Sequence, residues 1–186
     1  MDDFGNAMTP ADRSAGACPP PPSRSSTPSH PPMRLHHKPI RLLPERYAEP
    51  GAICSVTMAV GDRQPVFGDP RRARLAVDVL INHVHKTGIR LYAYCIMPDH
   101  LHVLVSPSAT CGIIRFVGEY KNLTQRAVWT TGWRGAFWQT SFWDHFVRDD
   151  EDLRTVVEYI LQNPVRKGLV SQWREYPFSG SLECAP

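Results

Sequence analysis

Residues 90–105 constrain the fold most strongly, because they contain two strand patterns joined by a very short connection. Aromatic and aliphatic side chains alternate with small ones over residues 90–96, and a second strand pattern covers residues 100–105. One face of the first strand is expected to carry Leu91, Ala93 and Cys95. The Met-Pro-Asp connection at 97–99 is typical of a tight turn, so an antiparallel sheet is predicted.

Strand and helix patterns alternate on both sides of this pair. They predict a strand over residues 52–60, a helix that begins at Asp69-Pro70 and ends at Gly88, a helix over 113–128, an aromatic-rich strand over 137–147 and a last helix over 150–162, ended before Pro164. The order is βαββαβ plus one helix. It predicts an α+β fold: a ferredoxin-like sandwich in which two helices cover one face of a four-stranded antiparallel sheet.

The chain divides by composition into a tail and a domain. Nine of its 18 prolines lie in the first 39 residues, among small polar side chains that leave little to bury. Residues 1–37 are therefore predicted to be disordered. Residues 38–186 are predicted to form one domain.

Composition also limits the class of protein. No run of 18 apolar residues occurs, and the acidic start does not resemble a signal peptide, so no membrane association is expected. Five scattered cysteines without a CxxC pair are typical of reduced thiols in a cytoplasmic protein. The formal charge of +3 permits a nucleic-acid partner without requiring one.

The strand at 100–105 carries a candidate metal site. Alternation places His100, His102 and Leu104 on one face and three aliphatic side chains on the other. The two imidazoles, about 6.6 Å apart along the strand, can converge on one cation. The alternative is two polar residues on a solvent-facing strand. A second pair, His83 and His85, falls in a helix and is predicted to be structural, with His83 beside the apolar stripe and His85 exposed.

The last helix carries a tyrosine beside its apolar stripe. Tyr159 and Asn163 are four residues apart, so a hydroxyl and an amide oxygen can face the same point. The structural alternative is a tyrosine at the rim of the core, with Asn163 as a helix C-cap before Pro164.

Several ordered motifs together resemble one family. The stretch 93–104, AYCIMPDHLHVL, resembles the His-hydrophobic-His strand of single-tyrosine HUH transposases. The segments WQ at 138–139, FWDH at 142–145, RD at 148–149, YILQNPVRKGLV at 159–170 and YPFS at 176–179 are similar to REP-associated tyrosine transposases. The resemblance covers about residues 40–180 and implies the same sandwich fold.

The resemblance also implies a chemistry. Members of this family cut single-stranded DNA with a tyrosine that becomes linked to the 5′-phosphate and leaves a free 3′-OH. Tyr159 matches this nucleophile, His100 and His102 match the metal-binding histidines, and Asn163 takes the place of the third ligand. A phenol, with a pKa of about 10, needs a cation to polarise the phosphate. Mg²⁺ or Mn²⁺ is expected, and zinc is disfavoured because no thiolate is nearby.

Hairpin or other single-stranded DNA is the expected partner, and the chain is expected to act as a monomer or a homodimer. Candidate phosphate contacts are Arg115, Lys121, Arg126, Arg148, Arg166 and Lys167. The indoles of Trp133, Trp138 and Trp143 can stack bases, although a tryptophan on a strand is more typical of a core. Two other functions stay open: a catalytically silent nucleic-acid-binding module of the same fold, and an unrelated histidine metalloenzyme.

Overall fold

A computed structural model describes residues 43–148 and 152–182 of the chain. The predicted disordered tail at 1–37 and the predicted start of the last helix at Asp150 lie outside these residues. The elements, in chain order, are β1 (Cys54–Ala59), α1 (Pro70–Thr87), β2 (Arg90–Met97), β3 (His100–Ser106), α2 (Ile113–Trp129), β4 (Trp143–Phe146), α3 (Leu153–Leu161), α4 (Asn163–Arg166) and β5 (Ser179–Ser181), with short 3₁₀ turns at Pro44–Ala48, Gly61–Arg63, Val66–Gly68 and Trp173–Glu175. No helix within the described ranges is both long and apolar enough to span a bilayer.

One antiparallel sheet organises these elements, which confirms the α+β prediction. Its strand order is β4-β1-β3-β2-β5. The prediction of four strands is wrong, because Ser179–Ser181 pairs with the outer edge of β2 as a fifth. A Ser-Gly-Ser segment has low strand propensity, so this short strand depends on the edge that it pairs with.

The helix termini follow the local sequence signals. Asp69 Oδ1 accepts a hydrogen bond from Arg71 N at 2.9 Å, and Pro70 occupies the first helical position of α1. Gly88 ends the helix with φ of +67°, a left-handed conformation that glycine adopts without steric cost. Asp152 caps α3 in the same way as Asp69 caps α1, through a bond from Arg154 N.

Two predicted strand details are wrong. The register of β2 against β3 shifts between Leu91 and Ala93, so Tyr92 is an extra residue. Leu91 therefore packs on one face of the sheet while Ala93 and Cys95 pack on the other. The predicted strand at 137–147 is also too long: only Trp143–Phe146 is a strand, and Trp138 makes an isolated bridge with Val60.

The two faces of the sheet bury separate apolar clusters. The larger cluster includes side chains of α1 and α2 with Leu101, Val103 and Val105 of β3. The smaller one contains side chains of α3 with Leu104 and the alternate residues of β2. Since His100 and His102 share the face of Leu104, the helix that carries Tyr159 packs on the same face as the histidines.

Candidate active site

The two histidines of β3 lie side by side and are buried. His100 and His102 expose 9% and 8% of their surface, so the alternative of a solvent-facing polar strand is wrong. Their Nε2 atoms are 3.0 Å apart, and the rings meet edge to face with centroids separated by 4.7 Å. The imidazoles therefore converge on one point above the sheet.

A partner on each Nδ1 fixes the orientation of both rings. His100 Nδ1 lies 2.5 Å from Asp99 Oδ1. Because an ionised carboxylate only accepts, this nitrogen carries the proton and Nε2 keeps its lone pair. His102 Nδ1 lies 2.9 Å from Thr57 Oγ1 on β1. A hydroxyl can donate or accept, so Thr57 is compatible with either tautomer of His102.

The chemical state of the pair fits a divalent cation. Burial, the neighbouring His100 and the positive charges of Arg166 and Arg63 lower the pKa of His102 to about 3. Burial also lowers the pKa of His100, although Asp99 opposes this shift. Both imidazoles are therefore neutral near pH 7, as metal binding requires. Two nitrogens bound at about 2.1 Å and at a right angle to each other would lie about 3.0 Å apart.

Further ligands at this point would have to be oxygen atoms. In the described part of the chain, no three His, Cys, Asp or Glu side chains are arranged so that all of them could hold one metal ion. Cys95 is paired with His102 across the β2–β3 ladder, and burial raises the pKa of its thiol to about 12. The thiol is therefore protonated in this structure, and its Sγ donates to Met97 Sδ at 3.6 Å. An amide, water or phosphate oxygen is left to complete the shell.

Tyr159, Asn163 and Arg166 form one cluster at the junction of α3 and α4. The Arg166 guanidinium lies 4.0 Å from the centroid of the Tyr159 ring, which is 38% exposed. Arg166 Nη2 also donates to Asn163 Oδ1 at 2.9 Å and to Tyr159 O at 2.8 Å. Asn163 Nδ2 donates to the carbonyls of Ile160 and Tyr159, but the C-cap of α3 is Gln162, and Asn163 is the first residue of α4. Because an amide oxygen has two lone pairs, Oδ1 keeps one for another partner.

The candidate phosphate contacts do not form a single surface. Arg166 and Lys167 are close enough to the histidine pair for their charges to act on it. Arg115 and Arg126 belong to α2, which packs on the opposite face. Arg115 also pairs with Glu119 at 2.7 Å. Exposed Arg148 lies just beyond β4.

Lys121 has a structural role in this conformation. Its ammonium donates to the carbonyls of Gln139, Thr140 and Ser141 at 2.8, 3.3 and 2.8 Å. Burial lowers the pKa of this amine to about 8. All three N–H donors of the ammonium are used in this structure. Lys121 was expected to be open to phosphate because it lies off the apolar stripe of α2, and this expectation is corrected here.

The structure adds three residues that the sequence patterns did not single out. Asp99 was assigned only to the turn, and Thr57 only to a strand. The third is Arg63, whose Nη1 lies 3.3 Å from Asp99 Oδ2. The Asp99 signal was present, since an acidic residue directly before a candidate ligand is a natural hydrogen-bond partner for it. Strand pairing brings Thr57 to the site, and a turn brings Arg63 there.

Comparisons with known proteins show the family of this chain. The family described as "Transposase IS200 like" matches residues 52–163. A putative REP-associated tyrosine transposase of Haemophilus influenzae is 31% identical over 102 residues, 47% of this chain and 56% of that protein. The REP-associated tyrosine transposase of Escherichia coli is 31% identical over 87 residues, 47% of this chain and 51% of that protein. The chain thus spans about half the length of these curated relatives.

The fold also matches a solved structure. It is described as a REP-associated tyrosine transposase bound to a REP hairpin, with a TM-score of 0.58 and 26% identity over 72% of this chain and 78% of that one. The resemblance seen in the motifs is therefore confirmed. With more than half of its residues matched, the chain belongs to the IS200-like transposase family.

Proposed function

We propose that this protein cuts and rejoins single-stranded DNA through Tyr159, acting on hairpin-forming repeats. The observation that carries the proposal is the sharing of one sheet face by the histidine pair and the tyrosine helix. The related structure bound to a REP hairpin supports a hairpin substrate. The strand order β4-β1-β3-β2 supports the ferredoxin-like topology expected for such a domain.

In the proposed reaction the chain supplies the nucleophile and holds the phosphate. The Tyr159 hydroxyl oxygen forms a bond to phosphorus while the bond from phosphorus to the 3′-oxygen breaks, and the phenol proton ends on the departing 3′-OH. Reversal by another 3′-OH rejoins strands without ATP, because the phosphotyrosine link conserves the bond. Arg166 and Lys167 bind the phosphate oxygens, and Arg166 holds the phenol ring in place.

His100, His102 and Asn163 are the proposed ligands of a divalent cation, Mg²⁺ or Mn²⁺. Bound there, the ion would polarise the scissile phosphate and neutralise charge on its oxygens. Asp99 and Thr57 keep the imidazoles oriented for this task. Arg115, Arg126 and Arg148 are proposed as DNA contacts further from the reacting phosphate.

A covalent-adduct assay tests the proposal. Labelled hairpin DNA with single-stranded flanks is incubated with the protein and Mn²⁺ or Mg²⁺, and the adduct is resolved on a denaturing gel. Tyr159→Phe should abolish the adduct, whereas Tyr94→Phe, which removes a phenol packed against the larger cluster, should preserve it. His100→Ala or His102→Ala should abolish cleavage but keep most DNA binding.

The two alternatives give different results in the same assay. A catalytically silent DNA-binding module would bind the hairpin and form no adduct with either metal. An unrelated histidine metalloenzyme would form no adduct with DNA and would show metal-dependent hydrolysis of a small substrate that survives Tyr159→Phe. Persistence of the adduct in Tyr159→Phe would overturn the assignment of the nucleophile.

A further inference from the structure

Trp143 and Arg63 lie beside the histidine pair, on the side away from the tyrosine helix. Trp143 pairs with Thr57 on β1, and Thr57 pairs with His102 on β3. Directly paired residues project to the same face, so the indole shares the face of the histidines. With strands about 4.8 Å apart, Trp143 is about 10 Å from His102 across the sheet. Helix α3 packs against β2 and β3 instead.

Arg63 joins this tryptophan to the histidine pair. Its guanidinium lies 5.9 Å from the centroid of the Trp143 ring, and its Nη1 pairs with Asp99 Oδ2 at 3.3 Å. The distance to the ring is at the outer limit of about 6 Å for a cation–π contact, so the contact is weak. The Arg63 side chain is 51% exposed and has donors beyond the one that faces Asp99.

An unusual turn sets the position of Arg63. Asp62 and Arg63 both have left-handed backbones, with φ of 52° and 53°, a conformation that costs free energy in residues other than glycine. The start of the turn is held by two hydrogen bonds, since Gly61 N donates to Phe137 O at 2.6 Å and Val60 N donates to Asp99 O at 2.9 Å. Strained residues of this kind cluster at active sites and ligand-binding segments.

We propose that Trp143 and Arg63 form a nucleotide subsite, in which the indole stacks on one base of the single strand and the guanidinium binds the phosphate of that nucleotide. The inference rests on the proposed function, because it requires a single strand at the histidine pair. A single strand that left the histidines in the direction of β1 and β4 would reach Trp143. Stacking accepts any base, so the subsite positions the strand without reading its sequence.

Abasic substitution tests the stacking. Full-length protein carrying Tyr159→Phe, which cannot cut its substrate, is titrated with a REP-type hairpin in which each flanking nucleotide in turn lacks its base. At one flank position the missing base should raise Kd by about 5- to 150-fold. Adding Trp143→Leu should remove that penalty at that position alone, because the two changes delete the same contact.

A second aromatic variant keeps the test independent of folding. If Trp143→Leu does not melt cooperatively, Trp143→Phe replaces it, and its smaller ring should leave a reduced penalty at the same position. Equal penalties in the parent and in the folded Trp143 variants at every position would overturn the stacking role. If Trp143 had a purely structural role, its replacement would weaken the binding of all oligonucleotides by the same factor.

Salt dependence tests the arginine. Arg63→Gln should reduce the slope of log Kd against log salt by about one, as expected for one lost phosphate contact. The titration is run in EDTA, so that changes transmitted through Asp99 to a bound metal do not contribute. Lys86→Gln, an equal loss of charge in the exposed last turn of α1, is the control and should leave the slope unchanged. Equal slopes in the two variants would overturn the phosphate contact.

Failure of the subsite can be distinguished from failure of the proposed function. A protein that binds no hairpin and forms no adduct refutes both. A protein that binds the hairpin and forms the Tyr159 adduct, while no flank position couples to Trp143, refutes the subsite alone.

Discussion

Asp99→Asn tests whether the carboxylate next to the histidine pair prepares a metal site. Asp99 Oδ1 accepts from His100 Nδ1 at 2.5 Å, and Oδ2 pairs with Arg63 at 3.3 Å. The pKa of Asp99 is lowered: partial burial would raise it, but the hydrogen bond to His100 and the positive charge of Arg63 outweigh that effect. It is therefore ionised near pH 7. Asparagine replaces one of these two oxygens with an NH2 donor, so only one of His100 and Arg63 keeps its acceptor in place.

The expected loss follows from the role of such partners in metal sites. Removing a carboxylate that orients a ligating imidazole typically lowers metal affinity 10- to 100-fold, or roughly 1.4 to 2.8 kcal/mol. Without the carboxylate, His100 can move its proton to Nε2 and lose the lone pair that faces His102. Calorimetric titration of the full-length protein with Mn²⁺ at pH 7.5 measures the change directly.

The control is Asp78→Asn, which removes an exposed carboxylate from α1, the helix that packs on the opposite face. It should leave the Mn²⁺ affinity within about twofold of the parent, a small difference on the scale of 1.4 kcal/mol per tenfold. Equal Mn²⁺ affinities of Asp99→Asn, Asp78→Asn and the parent would refute the positioning role. A parent protein that binds no Mn²⁺ would refute the metal site itself.

Three further substitutions test the fold around the site. Gly180→Ala would place a Cβ 3.0 Å from the Tyr94 ring, so it should lower the free energy of unfolding by about 1–3 kcal/mol in a urea titration. Gly118→Ala, in open space on α2, should raise the free energy of unfolding by about 0.5–1 kcal/mol. Equal effects of the two substitutions would contradict this packing. Lys121→Met should lower the melting temperature without changing the salt slope of DNA binding, and a slope reduced by one would restore Lys121 as a phosphate contact. Burial lowers the pKa of His83, so the unfolded chain binds more protons than the folded one as the pH falls through about 6.5, and the stability of the fold decreases. His83→Gln should therefore lose less melting temperature than the parent between pH 7.5 and pH 5. An equal loss in both proteins would refute this role of His83.

Local signals predicted most of the elements of the fold. The cap at Asp69, the stop at Gly88 and the alternation over 100–105 each depend on neighbours in sequence, and the structure has them where they were expected. His83 and His85 are also as predicted, one buried against Phe116 and the other exposed. These features need no knowledge of distant parts of the chain.

The remaining features depend on contacts between distant segments. The bulge at Tyr92 follows from the register between β2 and β3, and β5 exists because β2 offers an unpaired edge. Thr57 reaches His102 only after β1 pairs with β3. In the same way, the left-handed turn that directs Arg63 towards Asp99 has no glycine at positions 62 and 63 to reveal it.

The separation of the two apolar clusters affects local stability. Helix α3 is held by the smaller cluster, while β1 and the alternate residues Leu101, Val103 and Val105 of β3 are anchored in the larger one. Detachment of α3 therefore costs less free energy than global unfolding, and its amides should exchange with deuterium before those of the central strands. Tyr159, the proposed nucleophile, and the imidazoles should therefore belong to different cooperative units. A substitution that destabilises α3 should therefore abolish the proposed cleavage at a smaller free-energy cost than the one needed to lower the melting temperature of the sheet.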